Sequence, residues 1–130
     1  MAEANTFSLS GLNQLHTGIG WYSFSGLIPC SDQSKSVIKI NNTGQRDAMI
    51  TVTFNGSVNL GDLNAGSVSA ITLNLGGIAI VQNKVQSIDE GNPYSVEFSL
   101  FVPRNSSLEV NVVDVDTTGK TTTMIRAYYV

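Results

Sequence analysis

The chain has little of the side-chain chemistry on which most small active sites depend. It contains a single cysteine, Cys30, and a single histidine, His16, among 130 residues. One cysteine cannot close an intrachain disulfide, and one cysteine with one histidine falls short of a structural zinc site. A Ser-His-Asp arrangement would have to use His16, which no carboxylate adjoins in the sequence, and a Gly-x-Ser-x-Gly elbow is absent. We therefore predict a protein that is not an enzyme, with no catalytic residues, no metal and no cofactor.

Acidic residues do not fill this gap. Asp114 and Asp116 are two apart, so on a strand they would point the same way and could share in a calcium site. Two carboxylates fall short of the oxygen count that Ca²⁺ requires, and no EF-hand pattern is present. The adjacent residues Asp89 and Glu90 are equally isolated. Calcium is therefore the weaker alternative to a surface or turn role for these carboxylates.

Charge is scarce as well. Charged residues make up 13% of the chain, about half of the usual share of roughly 25%, and the lysines and arginines are scattered without a run. Binding through a phosphate backbone needs clustered basic side chains, so we predict no nucleic-acid partner. The polar surface is instead built from 15 Ser, 11 Thr and 12 Asn. Such a neutral surface suits close packing against other copies of the chain, or the binding of polar ligands such as sugars.

Long apolar runs are missing too. No run approaches the roughly 20 residues of a membrane helix, and the first residues, MAEANTFSLS, carry neither the basic segment nor the apolar core of a signal peptide. We therefore expect synthesis in the cytoplasm, no membrane partner, and a final location in a virion if the chain is a virion component. A length of 130 residues favours one domain, 1–130.

Helical periodicity is absent apart from, at most, one turn at 87–91, and strand signals dominate. Between residues 50 and 54, for example, apolar and polar side chains alternate, which is the period of a half-buried strand. Strands are predicted at 7–12, 19–25, 37–40, 50–54, 68–75, 78–85, 96–102, 108–115 and 121–130.

Turn signals separate these strands at intervals of roughly 8–12 residues, which is typical of a sandwich or a barrel. They are Asn42-Thr43-Gly44, Asn55-Gly56, Gly61-Asp62, Asn64-Ala65-Gly66, Gly76-Gly77, Glu90-Gly91-Asn92-Pro93 and Thr118-Gly119. The fold class that fits best is all-β, a jelly-roll-like antiparallel β-sandwich of about eight to ten strands. An immunoglobulin-like sandwich comes second, because a single cysteine cannot give its Cys…Trp…Cys spacing.

Two of the strands carry more specific signals. In 108–115 the alternation slips by one residue after Val112, which predicts a β-bulge at that point. In 121–130 both faces carry apolar side chains. This last strand is therefore predicted to be covered on both sides, either in the middle of a sheet or at a subunit interface.

Adjacent aromatic residues provide the main functional signal. Trp21 stands next to Tyr22, with Phe24 close by, and Tyr128 stands next to Tyr129. Neighbours on a strand point to opposite faces, so one member of each pair leaves the core unless both faces are covered. Trp and Tyr are favoured at interfaces because they combine a large apolar area with a polar tip. These five residues are our candidates for a subunit interface or, with less support, for stacking on a sugar.

The stretch TGIGWYSFS at 17–25 resembles the Gly-x-Tyr-x-Phe strand of the C1q/TNF-like trimeric heads. The stretch FNGSV at 54–58 resembles the Asn-Gly hairpin of the same family. The resemblance covers a small part of the chain and rests on general strand and turn chemistry. It departs from the family pattern where Pro29 and Cys30 follow the aromatic strand. It implies that chains of this composition occur in compact trimeric heads, including those on phage fibres.

Together these observations predict a non-enzymatic, self-assembling structural protein. We expect a virion component, such as a capsid, decoration or fibre-head subunit of a bacteriophage or another virus. Its partners would be copies of itself or other virion proteins. The alternative is a lectin-like carbohydrate-binding module in which an aromatic side chain stacks on a glycan. Aromatic residues on strand faces favour the first function, and aromatic residues at loop tips favour the second.

Overall fold

A computed structural model describes residues 8–9, 14–29, 31–57, 68–86, 94–114 and 120–130. These ranges contain eleven strands, which turns and short loops connect. The strands are β1 (Ser8–Leu9), β2 (Gln14–Thr17), β3 (Gly20–Phe24), β4 (Ile28–Pro29), β5 (Lys35–Asn42), β6 (Ala48–Ser57), β7 (Val68–Leu75), β8 (Ile78–Gln86), β9 (Tyr94–Val102), β10 (Leu108–Asp114) and β11 (Lys120–Tyr129).

The strands pair in antiparallel fashion and form two sheets. The five-stranded sheet has the order β1-β5-β10-β7-β8, and the six-stranded sheet has the order β2-β3-β11-β6-β9, with β4 pairing with β11. When the short strands β1, β2 and β4 are left out, the other eight strands can be counted one to eight along the chain. In this count the six-stranded sheet has the order 1-8-3-6 and the five-stranded sheet has the order 2-7-4-5. This is the strand order of a jelly roll, which is built from two Greek keys. The predicted fold class is therefore confirmed.

One hydrophobic core lies between the sheets. Successive side chains of a strand point to opposite faces, so each strand gives every second side chain to the core. In β6, Ile50, Val52 and Phe54 are at most 1% exposed, while Thr51 and Thr53 between them lie half-buried on the other side. The remaining buried apolar residues are Trp21, Ile38, Ile40, Ala48, Ile71, Leu73, Val102, Leu108, Val110, Val112, Ile125 and Ala127.

The short strands β2 and β4 were not predicted from the sequence. The described residues therefore contain eleven strands rather than eight to ten. The sequence of β2, QLHT, has a single apolar residue and so shows no alternation, yet it pairs with β3 across a turn at Gly18 and Ile19. β4 is two residues long and pairs with the first residues of β11, Lys120 and Thr121. Both strands exist because a longer neighbour offers unpaired backbone groups.

The β-bulge predicted in 108–115 is in a different strand. β10 keeps an unbroken register with β7 from Leu108 to Asp114. On its other side Val110 opposes Ile38 and Asn111 opposes Ser36, so the extra residue is Val37 of β5. The prediction of a bulge after Val112 was therefore wrong. β10 is held between two long strands, whereas β5 lies nearer the sheet edge, where bulges are more easily accommodated.

Of the predicted turns, those at Gly44 and at Gly76-Gly77 are observed and the one at Asn55-Gly56 is not. Gly44, Gly76 and Gly77 have positive φ angles of 108°, 60° and 81°, as the tight turns at these positions require. Asn55-Gly56, in contrast, lies inside β6, opposite Thr122 and Thr121 of β11, so the predicted hairpin there was wrong. Pairing on both sides outweighs the turn preference of the dipeptide. The signals at 61–66, 90–93 and 118–119 and the helical turn at 87–91 fall outside the described residues.

Gly20 marks a close approach between β3 and β11. A Cβ atom placed on Gly20 would overlap the backbone carbonyl of Ala127, whereas a Cβ on nearby Gly18 meets no atom within 4 Å. A glycine inside a strand often marks such a contact between backbones. The register of β3 against β11 therefore depends on the absence of a side chain at position 20.

We expect Gly20→Ala to lower the free energy of unfolding by about 1–3 kcal/mol, because the two strands must move apart to admit the methyl group. The matched control is Gly18→Ala, which should change stability by no more than about 0.5 kcal/mol. Urea denaturation of both variants measures the difference. Equal midpoints for the two variants would show that β3 does not approach β11 as described.

Candidate functional site

Three of the five candidate aromatic residues lie on the side of the six-stranded sheet that points away from the core. We call this surface the outer face. Its side chains come from β3, β11, β6 and β9, which stand next to one another in that order. They are Tyr22, Phe24, Met124, Arg126, Tyr128, Met49, Thr51, Thr53, Glu97, Ser99 and Phe101.

The position of β11 creates this face. β11 lies in the middle of the sheet between β3 and β6, which is one of the two placements predicted for the strand. Its side chains alternate between Thr123, Ile125 and Ala127, which are buried in the core, and Met124, Arg126 and Tyr128, which point outward. The apolar groups on both faces of this strand are therefore explained in part by the core and in part by the outer face.

An apolar row crosses three strands at one end of the outer face. Tyr128 of β11 opposes Met49 of β6, which in turn opposes Phe101 of β9. Their exposed fractions are 54%, 41% and 49%. The Cβ atoms of directly opposite residues on antiparallel strands lie about 5 Å apart, so the three side chains form one contiguous patch. We call this patch the apolar row.

Polar side chains occupy the middle of the outer face. Thr51 and Ser99 share a hydrogen bond of 3.0 Å between their hydroxyls. The hydroxyl of Thr53 donates to Glu97 Oε2 at 3.1 Å, and Arg126 Nη2 lies 4.0 Å from the same oxygen. Arg126 and Glu97 are 49% and 60% exposed, so solvent weakens the attraction between them. Both charges are open to a molecule that approaches the face.

Tyr22 and Phe24 lie on β3, next to β11, on the side of the outer face that is farthest from β9. Both are half-buried, and their ring centroids lie 5.7 Å apart at an angle of 52°. The Tyr22 hydroxyl donates to Met124 Sδ at 2.9 Å, and a thioether sulfur is a weak acceptor. The tilt between the rings means that these two side chains pack against each other rather than presenting one flat platform.

The other two candidates lie on the core side of the sheet. Trp21 is 2% exposed and opposes Ala127, whose small side chain leaves room for the indole. Trp21 is thus a core residue and not part of the outer face, which corrects its candidacy. Tyr129 is half-buried, and Arg46 Cζ lies 4.3 Å from its ring centroid in a cation–π contact. The interface or stacking role of the other four residues stays a prediction.

Sequence reasoning did not place the other two residues of the apolar row among the candidates, although Phe101 stands out as an apolar residue on the polar side of its strand. Met49 is in phase with Thr51 and Thr53, and Phe101 is in phase with Glu97 and Ser99. Strand alternation would thus have assigned both to the polar side of their strands. Their proximity to Tyr128 depends on pairing between distant segments, which no local pattern reveals.

The candidates for catalysis or metal binding are only partly described. The backbone of His16 belongs to β2 and opposes Trp21, and the backbone of Asp114 belongs to β10. The side chains of both fall outside the described residues, as do Cys30, Asp89, Glu90 and Asp116. Within the described part of the chain, no three His, Cys, Asp or Glu side chains are grouped so that they could hold a metal ion.

Hydrogen bonds from Arg104 and Val130 to Asp47 hold the loops beside the apolar row together, and we call this group of bonds the polar clamp. Asp47 Oδ1 accepts hydrogen bonds from the backbone N–H of Arg104 at 2.8 Å and from its Nε at 3.3 Å. The Asp47 carbonyl accepts another from the N–H of Val130 at 3.1 Å. The backbone hydrogen bond first, and then the Arg104 side chain, hold the pKa of Asp47 below its ordinary value. The clamp ties the start of β6 to the ends of β9 and β11.

No family model and no curated protein sequence matches the chain. A chain of dimeric latent PorU from Porphyromonas gingivalis matches with a TM-score of 0.51 and 12% identity, over 82% of this chain and 11% of its own length. CBM35 from Paenibacillus barcinonensis matches with a TM-score of 0.49 and 10% identity, over 98% and 96% of the two chains. The VP2 subviral particle of infectious bursal disease virus matches with a TM-score of 0.48 and 12% identity, over 83% and 32%.

At such identities the likeness shows the fold alone. The chain is a jelly-roll β-sandwich domain, and it spans a small part of the PorU chain and about a third of the VP2 chain that it matches. Among the described residues, no helix has the length and hydropathy needed to cross a membrane.

We expect Asp47→Asn to flatten the acid end of the stability profile. Because folding lowers the pKa of Asp47, the clamp stabilises the native state above the ordinary pKa of the group and is lost as the pH falls through the native pKa. Between about pH 6 and pH 3, the unfolding midpoint in urea should therefore fall more for the wild type than for the variant. The difference should be small, since the pair is exposed. Parallel curves would contradict the clamp.

Proposed function

We propose that this protein is a non-enzymatic structural subunit that associates with copies of itself through the outer face. The observation that carries the proposal is the apolar row, in which Tyr128, Met49 and Phe101 stand side by side and are each about half exposed. A contiguous apolar patch bordered by polar groups is typical of an interaction surface. Aromatic and methionine side chains are also the residues enriched at such surfaces.

The charges of the outer face favour a second copy as the partner. Arg126 and Glu97 lie on the same face and are both about half exposed. A twofold axis brings the same patch of two subunits together. An axis that runs along β6, between β11 and β9, would place Arg126 of one copy near Glu97 of the other, so the face is complementary to itself about that axis.

The dimensions of the outer face are also adequate. The four strands of the outer face stand side by side about 4.8 Å apart, and β6 and β11 are each 10 residues long at about 3.3 Å per residue. The face therefore measures about 20 by 30 Å, and two copies face to face would bury about 1,200 Å². This area lies at the lower end of the range for specific interfaces.

The finer part of the proposal is that the assembly is a virion. Jelly rolls recur in capsid subunits and in lectins, so the topology is compatible with either use. The low charge and the neutral hydroxyl- and amide-rich surface support close packing of many copies. Synthesis in the cytoplasm followed by incorporation into a particle belongs to this proposal. The trimer that the sequence resemblance implies is a different arrangement from the twofold pair and stays a prediction.

A carbohydrate-binding role for the same face is the second candidate, and Tyr128 is the residue that favours it, since this tyrosine is 54% exposed. The other features of the face favour association. The aromatic residues lie on strand faces rather than at loop tips, and Tyr22 and Phe24 are tilted against each other. The thioether of Met49 offers a sugar hydroxyl no strong hydrogen-bond partner.

Removal of the apolar row should abolish association. We expect the wild type to show sedimentation coefficients that rise with protein concentration, and the variant Tyr128→Ser/Phe101→Ser to remain monomeric at every concentration. The matched control is Ile78→Ser, which removes an apolar side chain that is 69% exposed on the edge strand of the other sheet. A wild type that is monomeric throughout, or a control that dissociates as fully as the double variant, would contradict the proposal.

Reversal of the charges of Arg126 and Glu97 should distinguish association with a second copy of the chain from association with an unrelated protein. We expect Arg126→Glu alone to weaken association at least tenfold, because the reversed charge would meet Glu97 of the second copy. The double variant Arg126→Glu/Glu97→Arg should restore association toward the wild-type level. Sedimentation at low and high salt measures both. Equal loss in the single and the double variant would exclude pairing of these residues between copies.

A further inference from the structure

The five-stranded sheet carries a cleft on the side that points away from the core. The cleft has a volume of about 200 Å³. Lys39 of β5 opposes Glu109 of β10, and Glu109 opposes Asn74 of β7, so these side chains form one row across three strands. Asn41, Ser107 and Gly77 line the cleft in the adjacent row.

The turn between β7 and β8 keeps one side of the cleft open. Gly76 and Gly77 have positive φ angles of 60° and 81°, and the N–H of Gly76 donates to the carbonyl of Ser107 at 2.9 Å. This bond holds the turn against the start of β10. A Cβ atom at Gly77 would meet nothing within 4 Å, so the glycine leaves open space where other residues would place a side chain.

The chemistry of the lining selects for a neutral ligand with many hydroxyls. Lys39 and Glu109 are direct cross-strand neighbours, so their opposite charges balance and the cleft attracts neither anions nor cations strongly. Asn41 and Asn74 each carry both a donor and an acceptor, as does the hydroxyl of Ser107. A sugar hydroxyl likewise donates and accepts. The remaining lining residues, Ile40 and Leu108, are apolar and none is aromatic, so the polar side chains of the cleft can hydrogen-bond to a ligand and no ring stacks on it.

We propose that this cleft binds one neutral sugar ring, held by hydrogen bonds that Lys39 and Asn74 donate and that Glu109 accepts. The volume limits the ligand to this size, because pockets for larger organic ligands start at about 300 Å³. A site this open, on a ligand of about a dozen non-hydrogen atoms, gives a dissociation constant on the order of 1 mM. The proposal is independent of association through the outer face, since the cleft lies on the opposite sheet and stays open in such a pair.

The test is a titration of the isotopically labelled full chain, followed through the backbone amide signals by NMR. The ligands are glucose, galactose, mannose and N-acetylglucosamine, with the charged analogues glucuronate and glucosamine. We expect saturable shifts of the amides of Asn74, Gly77 and Glu109 with at least one neutral sugar, and weaker binding of its charged analogue. The absence of saturable shifts at the cleft for all four neutral sugars would overturn the proposal, as would shifts confined to the outer face.

A pair of matched variants tests which residues hold the ligand. We expect Asn74→Ala to weaken binding about five- to tenfold, the effect of losing a hydrogen bond to the ligand. Asn111→Ala is the control, because Asn111 lies on the same side of the same sheet but outside the cleft. Equal loss in both variants would overturn the assignment of the cleft. Sedimentation of Asn74→Ala should match the wild type, so failure of this proposal is distinguishable from failure of association through the outer face.

Discussion

The pairing of β11 with a neighbour on each side is the constraint on which the rest of the six-stranded sheet depends. β11 pairs along its length with β6, and from Met124 to Tyr128 it also pairs with β3. Because side chains alternate along a strand, this register decides which of them enter the core. A slip of one residue would turn Ile125 outward and carry Arg126 inward. Burial of an unpaired guanidinium costs several kcal/mol, so the observed register is strongly favoured over the slipped one.

Two chemically different surfaces follow from this arrangement. Once Trp21 has taken the space opposite Ala127, the outer face keeps Tyr128 and its apolar neighbours in contact with solvent. The five-stranded sheet turns the opposite chemistry outward, with Lys39 and Glu109 paired across strands at the cleft. A subunit of this kind can associate through one sheet while the other sheet remains accessible to a small polar ligand. The jelly-roll topology allows this because each sheet covers only one side of the core.

The sequence was a good guide to the elements and a poor guide to their neighbours. Alternation predicted the strand at 68–75 within its observed limits, and it predicted that Trp21 and Tyr22 point to opposite faces. It could not say which of the two enters the core, because that depends on the small residue opposite Trp21 on a strand about a hundred positions away. The same limit hid the apolar row, and it explains the failed hairpin at Asn55-Gly56, where pairing on both sides overrode the local turn preference. Local patterns report a period, whereas a site on a sheet is made by pairing between distant segments.

The most direct test of association through the outer face is the oxidation of Met49 by hydrogen peroxide at increasing protein concentration, followed by mass spectrometry of the peptide that contains it. Met49 lies at the centre of the apolar row and is 41% exposed in the single chain. If a second copy covers the outer face, the oxidation rate of Met49 should fall as the concentration rises. A rate that stays constant from dilute to concentrated protein would contradict the account, because the apolar row would then remain in contact with water.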